Sequence, residues 1–156
     1  MSPRAAWRLE RLGFPRVYDY VPGKMDWLSF GLPREGTATL AGDVLRTEVP
    51  RCQLDERMGD IAARLAEGDV AVCIAVVHDD IVMGTVAADA VDRTADARVE
   101  DVMLFGATTV RPSEDLAALT DRMRRADVET IVVTRSDARL LGLLVRADAE
   151  ARLDGR

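Results

Sequence analysis

The chain has 156 residues, of which 48% are apolar, so it can bury one well-packed core but is too short for a large catalytic architecture. Its formal net charge is −6, and residues 1–40 carry six basic and four acidic side chains, which leaves about −8 for residues 41–156. An acidic body without a basic stripe argues against nucleic acid and anionic membranes as partners. No apolar run approaches the roughly 20 residues of a membrane span and no signal-peptide pattern is present, so we expect a cytoplasmic protein.

Residues 1–36 form a distinct segment, because they hold six of the seven aromatic residues of the chain. Apolar periodicity predicts a helix over residues 3–12, a strand over 16–20 and a helical turn over 24–30. We therefore expect a short αβ N-terminal extension ahead of the main body.

The extension needs a surface to pack on. A lone strand with aromatic neighbours exposes a large apolar patch unless something covers it. We expect docking on the rest of the same chain or on a partner subunit, with Trp7, Tyr18 and Trp27 as anchors. The alternative is a partly disordered leader, because chain termini are often loosely held.

The rest of the chain contains an internal repeat. A shift of 58 positions aligns residues 43–90 with residues 101–148 without a gap; Gly84 lies over Gly142, and apolar positions match along most of the overlap. A unit that cannot bury its own apolar face needs its copy to complete a core. The sequence therefore predicts two similar units that face each other and leave clefts between them.

Both copies show the same order of elements. In the first copy, the nearly continuous apolar run over residues 70–77 predicts a strand covered on both faces, followed by a turn at 78–80. The second copy predicts, in chain order, a strand over 107–110, a helix capped by Ser113, strands over 130–134 and 140–145, and a helix over 146–153. The order β-α-β-β-α, used twice, predicts an α/β (α+β) fold in which the two repeats pack as a pseudo-two-fold pair.

The cysteines and the histidine give no sign of catalysis. Cys52 and Cys73 fall at apolar strand positions of the repeat, which favours reduced core thiols over a disulfide or a metal site. His78, the only histidine, lies in a polar turn beside two aspartates, a pattern typical of a solvated loop. We predict no catalytic residue and no metal site.

The second copy resembles a CBS domain. The resemblance rests on residues 101–103, 109–112, 128–133 and 139–148, and the last of these segments carries the family's glycine at Gly142 and its closing aspartate at Asp148. It extends over residues 41–153 as a tandem pair and implies boundaries at 37–95 for the first repeat and 96–156 for the second.

CBS pairs are regulatory modules whose clefts often bind adenine nucleotides or related adenosyl ligands. The resemblance therefore implies a non-catalytic sensor that requires no cofactor. AMP, ADP, ATP or S-adenosylmethionine is the implied effector, and a homodimer formed through the CBS repeats is the implied assembly.

Asp148 is the leading candidate for ligand binding. An aspartate just inside the last helix can accept two charge-assisted hydrogen bonds from the vicinal hydroxyls of a ribose. Phosphates would lie near the N-terminus of the same helix, where Arg146 adds a guanidinium. Val145 stands where the family pattern has a hydroxyl, which removes one hydrogen-bonding partner. The resemblance assigns the adenine walls to Thr109, Val110, Ile131, Val132 and Val133.

Each candidate also has an interpretation without a ligand. Apolar strand residues such as Val110 and Val132 usually build cores, and Asp148 could equally be a solvated carboxylate at a helix start. In the first copy, Ala87 and Ala90 replace the hydroxyl and the aspartate, so that site is vacant or specialised for another ligand. A second function therefore stays open, a degenerate CBS pair that serves as a dimerisation scaffold without a ligand.

Residues 1–36 resemble the C-terminal third of a rhodanese domain. The resemblance rests on residues 2–6, 12–14, 17–20 and 31–33, together with Gly23 and Trp27. A rhodanese uses a reactive cysteine in an electropositive loop ahead of a helix, and neither Cys52 nor Cys73 occupies such a position. A sulfurtransferase would lack its nucleophile, so we interpret the segment as a remnant without the active-site cysteine.

Overall fold

The computed structural model describes residues 3–18, 20–91 and 94–155. The helices are α1 (Pro3–Arg11), α2 (Gly23–Ser29), α3 (Met58–Glu67), α4 (Ala88–Val91), α5 (Val99–Val102), α6 (Leu116–Arg125) and α7 (Arg146–Asp154), with 3-10 turns at Ala41–Asp43 and His78–Asp80. The strands are β1 (Arg51–Gln53), β2 (Val72–Val77), β3 (Ile81–Ala87), β4 (Leu104–Phe105), β5 (Thr109–Val110), β6 (Thr130–Thr134) and β7 (Leu140–Val145). Within these residues no helix is long and apolar enough to cross a membrane.

The predicted repeat is present in the structure. Repeat 1 runs from β1 to α4 and repeat 2 from β5 to α7, each in the order β-α-β-β-α. Helices α3 and α6 begin and end 58 positions apart, as the sequence register requires. The exact domain boundaries at residues 36, 95 and 96 stay predictions.

Helix α6 shows how the local sequence sets an element. Asp115 is its N-cap, and its carboxylate accepts a 2.9 Å hydrogen bond from the backbone N–H of Ala118, so the predicted cap at Ser113 is wrong by two residues. Leu116, Leu119 and Met123 recur on one face of the helix and are buried. The helix therefore covers one face of its sheet.

Each repeat contributes a sheet with one parallel and one antiparallel strand pair. Strand β1 is parallel to β2, which is antiparallel to β3, and β5, β6 and β7 repeat this arrangement. An irregularity interrupts the pairing at Ala75/Val76 and again at Val133/Thr134, 58 positions later. The two sheets therefore share even their local deviations from regular pairing.

The segments that lead into each repeat are exchanged between the sheets. Leu104 precedes repeat 2 but pairs with Thr85 in β3 of repeat 1. Arg46 precedes repeat 1 but bridges Leu143 in β7 of repeat 2, with N–H···O distances of 2.9 and 3.0 Å. These two pairings are related by the 58-residue shift.

Close backbone approach explains the matching glycines of the two repeats. A Cβ at Gly84 would overlap the carbonyl oxygen of Leu104, and a Cβ at Gly142 would overlap that of Arg46. Only glycine leaves room for the crossing segments at these positions.

The core has three parts. One lies under α6 and α7 in repeat 2, and another under α3 in repeat 1. The third joins the repeats, with Ile74 and Val76 of β2 buried against Val132 of β6 and Leu143 of β7. The predicted α/β pair of face-to-face repeats is therefore confirmed.

The N-terminal extension docks differently from the prediction. Residues 16–18 and Tyr20 form no strand, and Asp19 lies outside the described residues. A short strand is not stable without a partner strand, and Pro15 and Pro22 interrupt pairing on either side.

Helix α2 makes the contact between the extension and repeat 2. The Asp26 carboxylate lies 2.9 Å from the guanidinium of Arg135, just after β6, and Arg135 stacks 4.2 Å from the ring centroid of Phe30. Trp7 and Tyr18 are 58% and 80% exposed, so they do not anchor the extension to this chain. Trp27 packs edge-on against Tyr20, within the extension itself.

Candidate functional site

An open cleft lies between the two repeats. Its volume is about 430 Å³, and most of its lining is apolar, including Leu104 of β4 and Ile131 and Val132 of β6. We call it the open cleft. Its polar lining residues are Thr85, Thr108, Thr130 and Arg122.

Asp148 lies in a different place, in the first turn of α7. Arg46 binds it through two hydrogen bonds, Nε to Oδ2 at 2.5 Å and Nη2 to Oδ1 at 2.9 Å. The remaining guanidinium nitrogen of Arg46 pairs with Asp69, in the turn before β2. These three residues, which we call the Asp148 cluster, join the end of repeat 2 to the entry and the α3–β2 turn of repeat 1.

The cluster is an ionic one. The hydrogen bonds from Arg46 hold the pKa of Asp148 below its ordinary value, and the Asp148 carboxylate raises the pKa of Arg46. The side chains of Arg46 and Asp148 are 28% and 33% exposed, so water screens the pair only in part. Both carboxylate oxygens of Asp148 are therefore engaged by a cation.

The repeat relates the open cleft to the surroundings of Asp148. A shift of 58 positions carries Leu104 onto Arg46 and Ala90 onto Asp148. We call the counterpart of the open cleft, at Arg46 and Asp148, the Asp148 cleft. At the open cleft this position is the apolar Leu104, whereas at the Asp148 cleft it is Arg46, whose guanidinium binds the Asp148 carboxylate.

The predicted site residues are divided between several locations. Ile131 and Val132 line the open cleft. Val110 and Val133 are buried in the repeat 2 core, together with the inner face of Ile131, whereas Thr109 is exposed.

The residues of the predicted phosphate end also lie outside the open cleft. Val145 packs against the core between the repeats, and Arg146 Nη1 lies 3.5 Å from an Asp127 carboxylate oxygen. Within the described residues, the lining of the open cleft includes neither Asp148 nor Arg146. The open cleft thus holds two of the predicted adenine-wall residues but not the predicted ribose anchor.

Several residues at the two clefts are not predicted from the sequence. Arg46 was not a candidate, although the mismatch between it and Leu104 in an otherwise apolar register was visible. Thr85, Thr108 and Thr130 carry no motif, so nothing in the sequence marks them as lining one cleft.

The cysteines do not line the open cleft. Cys52 and Cys73 lie on the neighbouring strands β1 and β2 as free, buried thiols within the repeat 1 core. In the part of the chain that the structure describes, no three His, Cys, Asp or Glu side chains are placed to hold a metal ion.

Comparisons with known proteins agree with this architecture. The CBS domain family model matches residues 99–153, which span α5 to α7. The CBS domain pair of protein MJ0100, in complex with 5′-methylthioadenosine and S-adenosyl-L-methionine, superposes with a TM-score of 0.66 at 15% identity, over 76% of this chain and 98% of that one. The chain folds as a CBS domain pair.

Two further structures show the same fold. CBSX2 in complex with AMP gives a TM-score of 0.64 at 18% identity, covering 75% of this chain and 98% of that chain. The soluble part of a magnesium transporter superposes with a TM-score of 0.68 at 17% identity, covering 75% of this chain but only 48% of that one. The chain thus spans about half the length of that transporter fragment.

The search of curated proteins gave no match. The resemblance of residues 1–36 to a rhodanese is not confirmed by these comparisons, and it stays a prediction.

Proposed function

We propose that this CBS pair is a non-catalytic regulatory module that binds an adenosine-containing nucleotide in the open cleft. The observation that carries the proposal is the cleft itself, an apolar cavity of about 430 Å³ between the repeats with a few convergent polar groups. Small-molecule sites typically have this size and this mixture of apolar walls and polar groups.

The fold supports an adenosyl ligand. Two of the superposed structures contain one, AMP in CBSX2 and the pair of 5′-methylthioadenosine and S-adenosyl-L-methionine in MJ0100. A purine ring would fit between the apolar walls of the cleft. The hydroxyls of Thr85, Thr108 and Thr130 can donate to or accept from the base and the ribose.

Arg122 can supply the contact to a phosphate. It lines the cleft, and its side chain is 54% exposed, so it can reorient without unfolding the helix. Its present partner is Glu114, at 2.8 Å, and exposed ion pairs of this kind contribute little to stability. A guanidinium also matches the geometry of a phosphate through two parallel hydrogen bonds.

The scaffold without a ligand is the second candidate. It is favoured by Ala90, which leaves no carboxylate at the counterpart of Asp148, and by the engagement of Asp148 with Arg46. The homodimer is a proposal under either function, and light scattering at several protein concentrations tests it directly.

Thermal unfolding with added nucleotide separates the two candidates. AMP, ADP, ATP and S-adenosylmethionine are each added to the whole chain; a ligand at a hundredfold excess over its Kd should raise the free energy of unfolding by about 2.7 kcal/mol. If none of the four shifts the unfolding temperature, the scaffold is the better account.

A variant tests whether the ligand binds in the open cleft. Thr108→Trp inserts a large side chain from an exposed position of the lining, so it should abolish the shift while leaving the fold intact. Thr109→Trp is the matched control, because the neighbouring Thr109 is exposed but does not line the cleft. A shift that persists in Thr108→Trp would place the ligand outside the open cleft.

A further inference from the structure

Arg46 is held at both its backbone and its side chain. Its backbone N–H and C=O form the antiparallel bridge to Leu143, with distances of 2.9 and 3.0 Å. Its guanidinium then reaches Asp148 through two nitrogens and Asp69 through the third. The side chain is thus fixed across the Asp148 cleft by contacts with both repeats.

The atoms that Arg46 engages are the ones that a ribose would need. A vicinal diol would donate to the two carboxylate oxygens of Asp148, and Arg46 already donates to both of them. Neutral hydroxyls make weaker hydrogen bonds to a carboxylate than a bidentate guanidinium does. A diol would also have to leave the partly buried Arg46 without its main partner.

The charge of the cluster opposes a phosphate as well. Arg46 lies between two carboxylates, so the Asp148 cluster as a whole carries a formal charge of −1. A phosphate brought to Arg46 would meet Asp69 and Asp148 at close range, where like charges repel.

The open cleft has no equivalent obstruction. Leu104 takes the place of Arg46 there, its side chain is apolar, and the position that corresponds to Asp148 is Ala90. The two equivalent places thus differ, because Leu104 and Ala90 form no ion pair, whereas Arg46 already binds the Asp148 carboxylate.

We propose that Arg46 acts as an internal ligand of the Asp148 cleft, which restricts this CBS pair to one adenosyl ligand per chain. Arg46 is then the residue that decides where ligand binds. The choice of an adenosyl ligand rests on the proposed function, whereas the filling of the Asp148 cleft rests on the contacts of Arg46 alone.

The number of ligands bound per chain tests the proposal. Isothermal titration of the whole chain with AMP, and separately with adenosine, should give one site for the wild type. Arg46→Leu installs the residue of the other repeat, and it should add a second site by freeing Asp148. Arg46→Leu/Asp148→Ala should return the number to one, because the added site needs the carboxylate.

Several outcomes would overturn the inference. Two sites in the wild type would show that Arg46 does not fill the cleft. No gained site in Arg46→Leu, with circular dichroism showing a folded protein, would show that Arg46 is not what closes it. A gained site that survives Asp148→Ala would place it elsewhere.

The titration also separates this inference from the proposed function. No binding by the wild type combined with one site in Arg46→Leu refutes the ligand in the open cleft and supports the internal ligand. One site in the wild type and one in Arg46→Leu would support the ligand in the open cleft and refute the internal ligand. If Arg46→Leu does not fold, Arg46→Ala takes its place in the titration. The backbone bridge to Leu143 does not depend on the side chain, and the same numbers of binding sites are expected.

Discussion

The two repeats bury equivalent positions but differ where each cleft meets the segment that crosses between the sheets. Ile61 and Leu119 are both buried, and Gly84 and Gly142 both admit a crossing backbone. At the clefts, by contrast, Leu104 corresponds to Arg46 and Ala90 to Asp148. Packing constrains the buried positions and the two glycines in both repeats, because a change of volume there destabilises the pair. The residues at the clefts are at least partly exposed, so they can change with a smaller loss of stability.

The largest expected effect tests the shared core. Leu119→Ala and Ile61→Ala each remove a large side chain from a buried helix face, and each should lower the free energy of unfolding by about 3 kcal/mol. Urea denaturation measures both. Leu104→Ala is the control, because Leu104 is 72% exposed and its loss should cost less than about 0.5 kcal/mol. A loss confined to one of the two helices would contradict the equivalence of the cores.

A somewhat smaller effect is expected at the crossing segments. Gly84→Ala and Gly142→Ala each force a methyl group against a carbonyl oxygen of the other repeat's entry segment, so each should destabilise the protein by about 2 kcal/mol. Thermal unfolding of the two variants compares the crossings directly. If one glycine tolerates alanine, the two crossings are not equivalent in packing.

The smallest effect concerns the Asp148 cluster and depends on pH. Because the pKa of Asp148 is lowered in the folded protein, its ion pair stabilises the fold above the pKa of the unfolded chain. This stabilisation is lost as the pH falls through the lowered, folded-state value. At pH 7, Asp148→Asn should cost about 1 kcal/mol, a modest figure because the pair is partly exposed.

Denaturation of the wild type and Asp148→Asn at pH 7 and at acid pH measures this difference. It should shrink at acid pH, and a difference that stays constant would mean that the ion pair does not contribute. The control is Asp127→Asn, a 95% exposed carboxylate whose replacement should change the free energy of unfolding at pH 7 by less than about 0.5 kcal/mol.

Much of the repeat architecture could be predicted from the sequence. The strands at 130–134 and 140–145 have the predicted bounds, and α7 ends one residue beyond the prediction. These elements are set by local apolar periodicity, which a single chain displays directly. The repetition of the pattern then indicated face-to-face packing, because neither copy could bury its apolar face alone.

The candidate site was harder to predict, because its parts are distant in sequence. Arg46 and Asp148 are separated by 102 positions, and only the exchange of entry segments brings them together. The same exchange places Leu104 in the open cleft together with Ile131, and Asp148 is not among the lining residues of that cleft. Similarly, the predicted strand over residues 16–20 depended on a pairing partner that the local pattern could not show.

The exchange of entry segments also determines what can fold independently. Strand β7 is completed by Arg46 from outside repeat 2, and β3 by Leu104 from outside repeat 1. A fragment limited to residues 99–153 would lose the Arg46 bridge along β7 and expose the apolar surface that Ile74 and Val76 cover. The cooperative unit is thus the pair, and we expect its two repeats to unfold in a single transition rather than one after the other.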